Sequence, residues 1–245
     1  MNVVILGATR GIGRALARRL AARGDRLFLL GRDVADLERS ANDIEIRANR
    51  QYTIGVAHCD LTAPETFVPA MDAAATALST VDTIVVTAGD FATQPALEQD
   101  LERTRNLLTV NFTNTVLFCE QARTRLLGRG GTLCVFSSVA GDRGRKPVIL
   151  YGAAKAGLAH YLEGLDYKYR SQGLRVVCVK PGFVKTSMTS GLKTPPFAGE
   201  ADGVAADVVR AIDRGQSVVY TPRVWQAVMI VIRALPRFVM RRVEF

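Results

Sequence analysis

Cysteine, histidine and tryptophan are scarce in this chain: its 245 residues include four cysteines, two histidines and one tryptophan. No two cysteines form a C-x-x-C pair, which excludes zinc-ribbon and dithiol redox motifs. Cys134 and Cys178 sit inside apolar runs (LCVF, VVCV), and with Cys59 and Cys119 they read as reduced, buried thiols. His58 and His160 match no ligand or base pattern, and no metal site is expected. Internal repeats and low-complexity segments are lacking. No apolar run is long enough to span a bilayer. No charged leader or cleavage site precedes the first strand-like run, Asn2–Leu6, so no signal peptide is expected and the location predicted is cytoplasmic.

Positive charge is plentiful. Lysine and arginine total 32 against 23 acids, for a net charge of +9. The arginines are scattered, with one group from Arg10 to Arg32 and another from Arg233 to Arg242, and no basic run is interleaved with aromatics. Nucleic acid is therefore not an expected partner. Hydrophobic residues make up 48%, enough for a sizeable core.

Aliphatic runs alternate with helical patterns. Strands are predicted at Val3–Leu6, Leu27–Leu30, Thr53–Ala57, Thr83–Thr87, Leu133–Ser137, Arg175–Lys180 and Val218–Thr221. Helices are predicted at Ile12–Arg23, Val34–Arg47, Ala63–Leu78, Gln94–Leu127 in two pieces, and Leu150–Ser171. Near-continuous apolar strands imply a sheet covered on both faces, and strand–helix alternation implies right-handed crossovers. The expectation is an α/β fold with a doubly wound parallel sheet of about seven strands, in one domain over 1–245. Ligands on such sheets bind outside the carboxyl ends of the strands.

After the first strand comes Gly7-Ala8-Thr9-Arg10-Gly11-Ile12-Gly13. Glycines at positions one, five and seven permit a tight turn and close backbone approach to a pyrophosphate, and the helix that follows offers free N–H groups. A glycine triplet alone also fits any tight strand-to-helix turn; its place between a strand and a helix raises its weight. This G-x-x-x-G-x-G spacing resembles the short-chain dehydrogenase/reductase family, and the resemblance runs from Val3 to about Thr186. It implies a Rossmann-like three-layer α/β/α sandwich and a nicotinamide cofactor.

At the end of the second strand, Gly31 holds the place where an acid binds the ribose 2′-hydroxyl in NAD-preferring enzymes, and Arg32 follows. Arg10 and Arg32 together would clamp a 2′-phosphate, so NADP(H) is favoured over NAD(H). Both also read as solvated surface arginines, and Asp33 would stand near the ribose after a shift of one or two residues. The resemblance further implies that Asp60 binds the adenine amino group and Leu61 lines the adenine slot. Asp60 also reads as a residue at a helix start. Thr87-Ala88-Gly89 stands where the family has N-A-G, with Ala88 and Gly89 letting the cofactor ribose lie close.

Ser138 follows the fifth strand and Tyr151 comes 13 residues later, in Tyr151-Gly152-Ala153-Ala154-Lys155. This Y-x-x-x-K is the family's active-site motif. Residues i and i+4 share a helix face, so Lys155 sits one turn beyond Tyr151. Carbonyl reduction makes an alkoxide that needs a proton, and a free tyrosine has a pKa near 10. A neighbouring ammonium is expected to lower it, making Tyr151 the general acid in reduction and the base in oxidation. Lys155 would also bind the nicotinamide ribose. Ser138 would donate to the substrate oxygen. Asn111 matches the family's fourth member and would hold a water linking Lys155 to a proton relay. Taken singly, these are a surface pair, a turn and an irregular helix residue; in order and at these spacings they read together as a catalytic set. Ser137 misses the spacing. In Pro181-Gly182-Phe183-Val184-Lys185-Thr186, the family's P-G-x-x-x-T, Thr186 and nearby backbone, with Pro181, Gly182 and Val184, would hold the nicotinamide carboxamide.

Residues 187–203, with Pro195 and Pro196, read as a mobile substrate lid. Residues 224–243 read as a basic amphipathic helix in which Arg233, Arg237 and Arg241 share a face if Pro236 only kinks it. Such a helix fits an anionic membrane interface, and it fits equally well packed on its own domain or on a dimer partner. The tail and the segment around Pro181 resemble the decaprenylphosphoryl-2-keto-pentose reductases, which implies a ketosugar linked to a polyprenyl lipid and work at the inner face of the membrane. The alternatives are a soluble ketone or acyl substrate, or a non-catalytic NADP-binding sensor or scaffold; an intact Ser138, Tyr151 and Lys155 argue against the last. The family commonly forms homodimers or higher homo-oligomers, through the helices holding Asn111 and Tyr151.

Overall fold

The apolar runs become strands whose alternate residues feed two different cores. The structure is a computed structural model and describes residues 1–48 and 53–243; the predicted domain span of 1–245 thus includes 49–52 and 244–245, which lie outside the described residues. In chain order the strands are β1 (Asn2–Leu6), β2 (Arg26–Gly31), β3 (Gly55–His58), β4 (Thr83–Val86), β5 (Thr132–Phe136), β6 (Arg175–Pro181), β7 (Val184–Lys185), β8 (Gly199–Glu200) and β9 (Val218–Thr221). The helices are α1 (Gly11–Arg23), α2 (Val34–Ala48), α3 (Phe67–Leu78), α4 (Gln94–Gln99), α5 (Leu101–Leu108), α6 (Asn114–Leu126), α7 (Ile149–Tyr169), α8 (Ala201–Arg214), α9 (Val224–Ala234) and α10 (Arg237–Met240).

Seven strands form one parallel sheet in the order β3-β2-β1-β4-β5-β6-β9. Side chains alternate across a strand. Thus Val3 and Ile5 pack with Leu16 and Leu20 of α1, Leu37 and Ile44 of α2, and Val208 of α8. Val4 and Leu6 pack on the other face with Phe67 of α3, Phe118 of α6 and Leu158 of α7. This is the doubly wound, three-layer arrangement expected. The chain order reverses between β1 and β4, which opens a crevice at the carboxyl edge of the sheet.

Two expectations are corrected. The tail is not one helix over 224–243. It stops at Ala234, passes through extended Leu235 and Pro236, and resumes only for Arg237–Met240. Proline lacks an N–H and drives its predecessor out of helical conformation, so Arg233, Arg237 and Arg241 do not share one continuous face. The lid segment is also shorter than 187–203, because α8 begins at Ala201. Within Gln94–Leu127 the helix is interrupted at Asp100, and a wide π turn occupies Thr109–Thr113.

Candidate active site

The glycine loop is shaped by contacts too close for any side chain. Gly7 has φ +100°, and a Cβ there would lie 2.6 Å from the Ala88 nitrogen. A Cβ on Gly13 would lie 2.1 Å from the Gly7 carbonyl. Thr87 takes up the bracing role of the missing asparagine: its hydroxyl donates to the carbonyls of Leu6 (3.0 Å) and Gly7 (2.9 Å). The β4 end and the phosphate loop are thereby tied together. Ile12 packs on the inner core as α1 leaves the loop. Thr9, Arg10 and Gly11 line a groove of about 640 Å³ together with Arg14, Arg39 and Thr186.

Three arginines surround that groove. Arg10 pairs with Asp36 (3.2 Å), and Asp36 also pairs with Arg39 (2.5 Å). Both guanidinium groups hold the Asp36 carboxyl below the ordinary range. Arg14 and Arg39 escaped the sequence reading because neither lies in a motif; both sit one helical turn inside α1 and α2. Arg32 is exposed, and its carbonyl bonds the His58 ring (2.9 Å). Asp33, the alternative ribose partner, is engaged elsewhere: its carboxylate accepts the Asp36 N–H (3.0 Å) and starts α2.

Asp60 likewise serves the turn that follows β3, accepting the Thr62 N–H (2.8 Å). Leu61 is buried, and its carbonyl accepts from the buried Asn114 amide (2.7 Å). Asn114 was missed by the sequence reading, since a polar residue at the start of α6 carries no motif. Asn111 sits fully buried in the π turn. Its amide donates to the carbonyls of Asp90 (2.7 Å) and Leu107 (3.0 Å), and its oxygen accepts the Asp90 N–H (3.2 Å). The side chain thus clamps the turn after Ala88-Gly89. A Cβ on Gly89 would touch both Asn111 (2.9 Å) and the Lys155 ammonium (3.6 Å), so these three residues meet at one point.

Ser138, Tyr151 and Lys155 come together at the end of β5. Ser138 starts a short 3-10 turn, its hydroxyl accepting the Ala140 N–H (3.1 Å). That turn lies directly on α7: a Cβ on Gly141 would stand 2.7 Å from the Ala156 nitrogen. Ser137 has a structural role, donating to the Lys155 carbonyl (2.8 Å). Ser138 lies close enough to the Tyr151 phenol to favour its ionised form. The Tyr151 ring stacks edge-on against Phe91, with centroids 5.3 Å apart, and the Lys155 ammonium lies 5.9 Å from its centre. Phe91 had no sequence signal.

The expected electrostatics are corrected at Tyr151. Burial outweighs the influence of Ser138 and pushes the phenol up to about 12, rather than an ammonium drawing it down. Lys155 is almost fully buried, donates to the Phe136 carbonyl (3.0 Å) and is pushed down to about 8. The four cysteines are buried and free, and burial raises each thiol, Cys178 to about 11 and Cys59 to about 12.

The segment after β6 completes the crevice. Thr186 caps the turn Ser187–Thr189, and its methyl would lie 3.2 Å from a Cβ on Gly11, so it faces the phosphate loop. Val184 is buried. Pro181 ends β6, and Gly182 leaves room for Trp225: a Cβ on Gly182 would overlap the indole at 2.1 Å. Trp225, Met229 and Ile232 of α9 pack on Val139, Phe183 and Tyr220. One face of the tail is therefore part of the floor beneath Ser138 and Gly182. Ile230, Val231 and Phe238 remain exposed. No helix among the described residues is long and apolar enough to cross a membrane.

Comparison with known proteins agrees with this geometry. A relative from Mycobacterium tuberculosis, described as an uncharacterized oxidoreductase, is 33% identical over 242 residues, 98% of this chain and 96% of its own length. A short-chain dehydrogenase from Sphingobium yanoikuyae, solved in complex with NADPH, superposes with a TM-score of 0.81 at 23% identity and covers 100% of this chain and 97% of its own. One from Mycobacterium paratuberculosis, solved bound to NAD, gives 0.79 at 24% identity over 91% and 96% of the two chains. Residues 1–196 match the short chain dehydrogenase family, and the chain belongs to it as an oxidoreductase enzyme.

Proposed function

We propose that this enzyme is an NADP(H)-dependent reductase that turns a carbonyl into a secondary alcohol, with Ser138, Tyr151 and Lys155 as its catalytic residues. The observation that carries the reading is the approach of Ser138 and Lys155 to the half-buried Tyr151 phenol, which is kept in its neutral, proton-donating form. The nicotinamide, when bound, supplies the hydride. Ser138 orients the substrate oxygen by donating its hydroxyl hydrogen. Tyr151 gives its phenolic proton to that oxygen as negative charge develops there. The Lys155 ammonium stabilises the phenolate left behind and holds the cofactor ribose. Asn111 is a positioning residue for the Gly89–Asp90 turn, and it keeps the cofactor-facing backbone against Lys155.

The cradle suits a dinucleotide. Gly7, Gly11 and Gly13 leave backbone open where a pyrophosphate approaches, with Thr9, Ile12 and Thr186 around them, and Ala88 and Gly89 do the same for the ribose. Asp60 and Leu61 border the adenine, and Pro181, Gly182 and Val184 the carboxamide. Preference for NADP(H) is supported by Arg10, Arg14 and Arg39 around one groove, by the exposed Arg32 just past β2, and by the commitment of Asp33 to the start of α2. Fluorescence titration with NADPH and NADH tests this: tight NADPH binding that weakens in Arg32→Ala is expected, and equal or better NADH binding with Arg32 irrelevant would overturn it.

For substrate, the exposed Ile230, Val231 and Phe238 beside Arg233, Arg237 and Arg241 favour a polyprenyl-linked ketosugar over a soluble ketone or acyl compound, handled by a cytoplasmic enzyme resting on the inner membrane face. Residues 187–200 act as its lid. Exposed Leu101, Phe112 and Leu117 on and beside α5 and α6 support a homodimer. Anionic liposomes should retain the protein, and removal of residues 235–245 should lower activity on lipid-linked substrate; indifference in both assays refutes this substrate.

A further inference from the structure

We propose that Arg145 anchors an anion subsite for the substrate, in a cavity closed on one side by the loop between β5 and α7 and on the other by the C-terminal tail. The loop reads Asp142-Arg143-Gly144-Arg145-Lys146, three cations to one acid. That acid is already engaged through both of its oxygens. Asp142 is almost fully buried; one oxygen accepts from Lys180 (2.6 Å) and the other from the Tyr220 hydroxyl (2.7 Å). Arg143 donates to the Leu235 carbonyl (2.9 Å) and closes the end of α9. Arg145 has no such engagement. Its Nε is buried and is the one buried side-chain nitrogen or oxygen without a hydrogen-bond partner among the described residues. Burial lowers its affinity for a proton below the ordinary arginine range, and the field of Asp142 offsets this only in part.

A buried guanidinium N–H with no acceptor is costly, and one that stands beside a cavity is open to an acceptor from a ligand. The cavity is about 220 Å³ and is lined by Gly144, Arg145, Lys146, Ile149, Met240 and Val243. That is far above the ~10–15 Å³ of a single water. The lining fixes the ligand chemistry. The planar fork of arginine matches phosphate and carboxylate oxygens. Ile149, Met240 and Val243 offer apolar surface next to it. The ligand is therefore an anion, best a phosphate ester, carried on an apolar chain. The assignment of this ligand as substrate rests on Ser138 and Tyr151 being the reacting centre, because Arg145 lies on the loop that joins them. A membrane lipid headgroup and a dissolved phosphorylated substrate share this chemistry.

The test uses the full-length protein saturated with NADPH and titrated calorimetrically with monomeric dodecyl phosphate, inorganic phosphate and dodecanol. Dodecyl phosphate should bind one to one and more tightly than either fragment. Arg145→Gln should weaken it by about 10–100-fold, the range for a lost charge-assisted bond. Arg145→Lys should fall between, and Arg129→Gln, at the exposed turn after α6, should match the parent protein. Because an unpaired buried charge is being removed, Arg145→Gln should melt no lower than the parent; clear destabilisation would mean that Arg145 is a structural residue and would overturn the proposal, as would equal dodecyl phosphate affinity in both proteins. Cosedimentation with phosphatidic acid vesicles separates the sources. Vesicle binding that also falls in Arg145→Gln assigns the anion to a lipid headgroup; vesicle binding that ignores it while dodecyl phosphate obeys it assigns a dissolved substrate. No hydride transfer enters these readouts, so Tyr151→Phe should bind dodecyl phosphate normally, and failure of the reductase reading leaves this test standing.

Discussion

The two halves of the carboxyl edge of the sheet are built on opposite principles. Around β1 to β3 the work is done by backbone and by the lack of side chains, as at Gly7 and Gly13. The charges there lie at the surface and neutralise one another, as in the Arg10–Asp36–Arg39 chain. Around β5, β6 and α7 the charges are buried and their protonation is displaced: Tyr151 upward, Lys155 and Arg145 downward. Exposed pairs contribute little each and are screened by salt. Buried groups act strongly on whatever enters, because little water shields them. The first half is thus a shape that tolerates surface change, and the second a charge arrangement that does not.

The sharpest way to break this contrast is Tyr151→Phe. Loss of the proposed proton donor should lower turnover by about 10²–10⁴-fold, with NADPH binding unchanged in a fluorescence titration; turnover near that of the parent enzyme would remove the mechanism. A smaller effect is expected in the other half. Arg10→Ala combined with Arg32→Ala should weaken NADPH by about 10–100-fold and leave NADH unchanged, as direct binding would reveal. A response to pH should also divide the halves. Lys155 carries its charge below about 8, so carbonyl reduction should decline as pH rises through that value, while Tyr151 stays protonated. NADPH affinity should stay level over the same range; a matching decline would show that Lys155 acts through binding rather than proton transfer. Least of all, Ser137→Ala should cost about 1 kcal/mol through the lost bond to α7, a few degrees in melting temperature, with the rate unaffected.

The layers of the fold were legible because each strand is apolar on both faces and each crossover helix has its own period. The phosphate loop and the Tyr151–Lys155 spacing were legible because their geometry is local: a turn of seven residues and one turn of helix. What stayed hidden depends on distant partners. Asn114 matters because Leu61 lies against it, 53 positions earlier in the chain. The displaced tyrosine could not be foreseen, since burial rather than the neighbouring lysine sets it. Arg145 stands without a hydrogen bond from its Nε while Lys180 and Tyr220, from two other strands, engage both oxygens of Asp142. The tail could be read as amphipathic, but whether Pro236 bends or ends it is decided by where the chain must go next.

The engagement of Asp33 bears on how cofactor choice could change in this lineage. Its carboxylate begins α2, so it is not free to swing toward a ribose without fraying that helix. On the proposed preference for NADP(H), a shift toward NAD is expected at Gly31, where a new side chain would reach the Leu37 methyl groups at an ordinary contact distance of 3.4 Å. One substitution at that position would add the acid without dismantling the helix start. Cofactor exchange in this chain is therefore a matter of gaining a residue at the end of β2 rather than releasing the one already there, and a directed-evolution search for NAD use should find Gly31 before it finds Asp33.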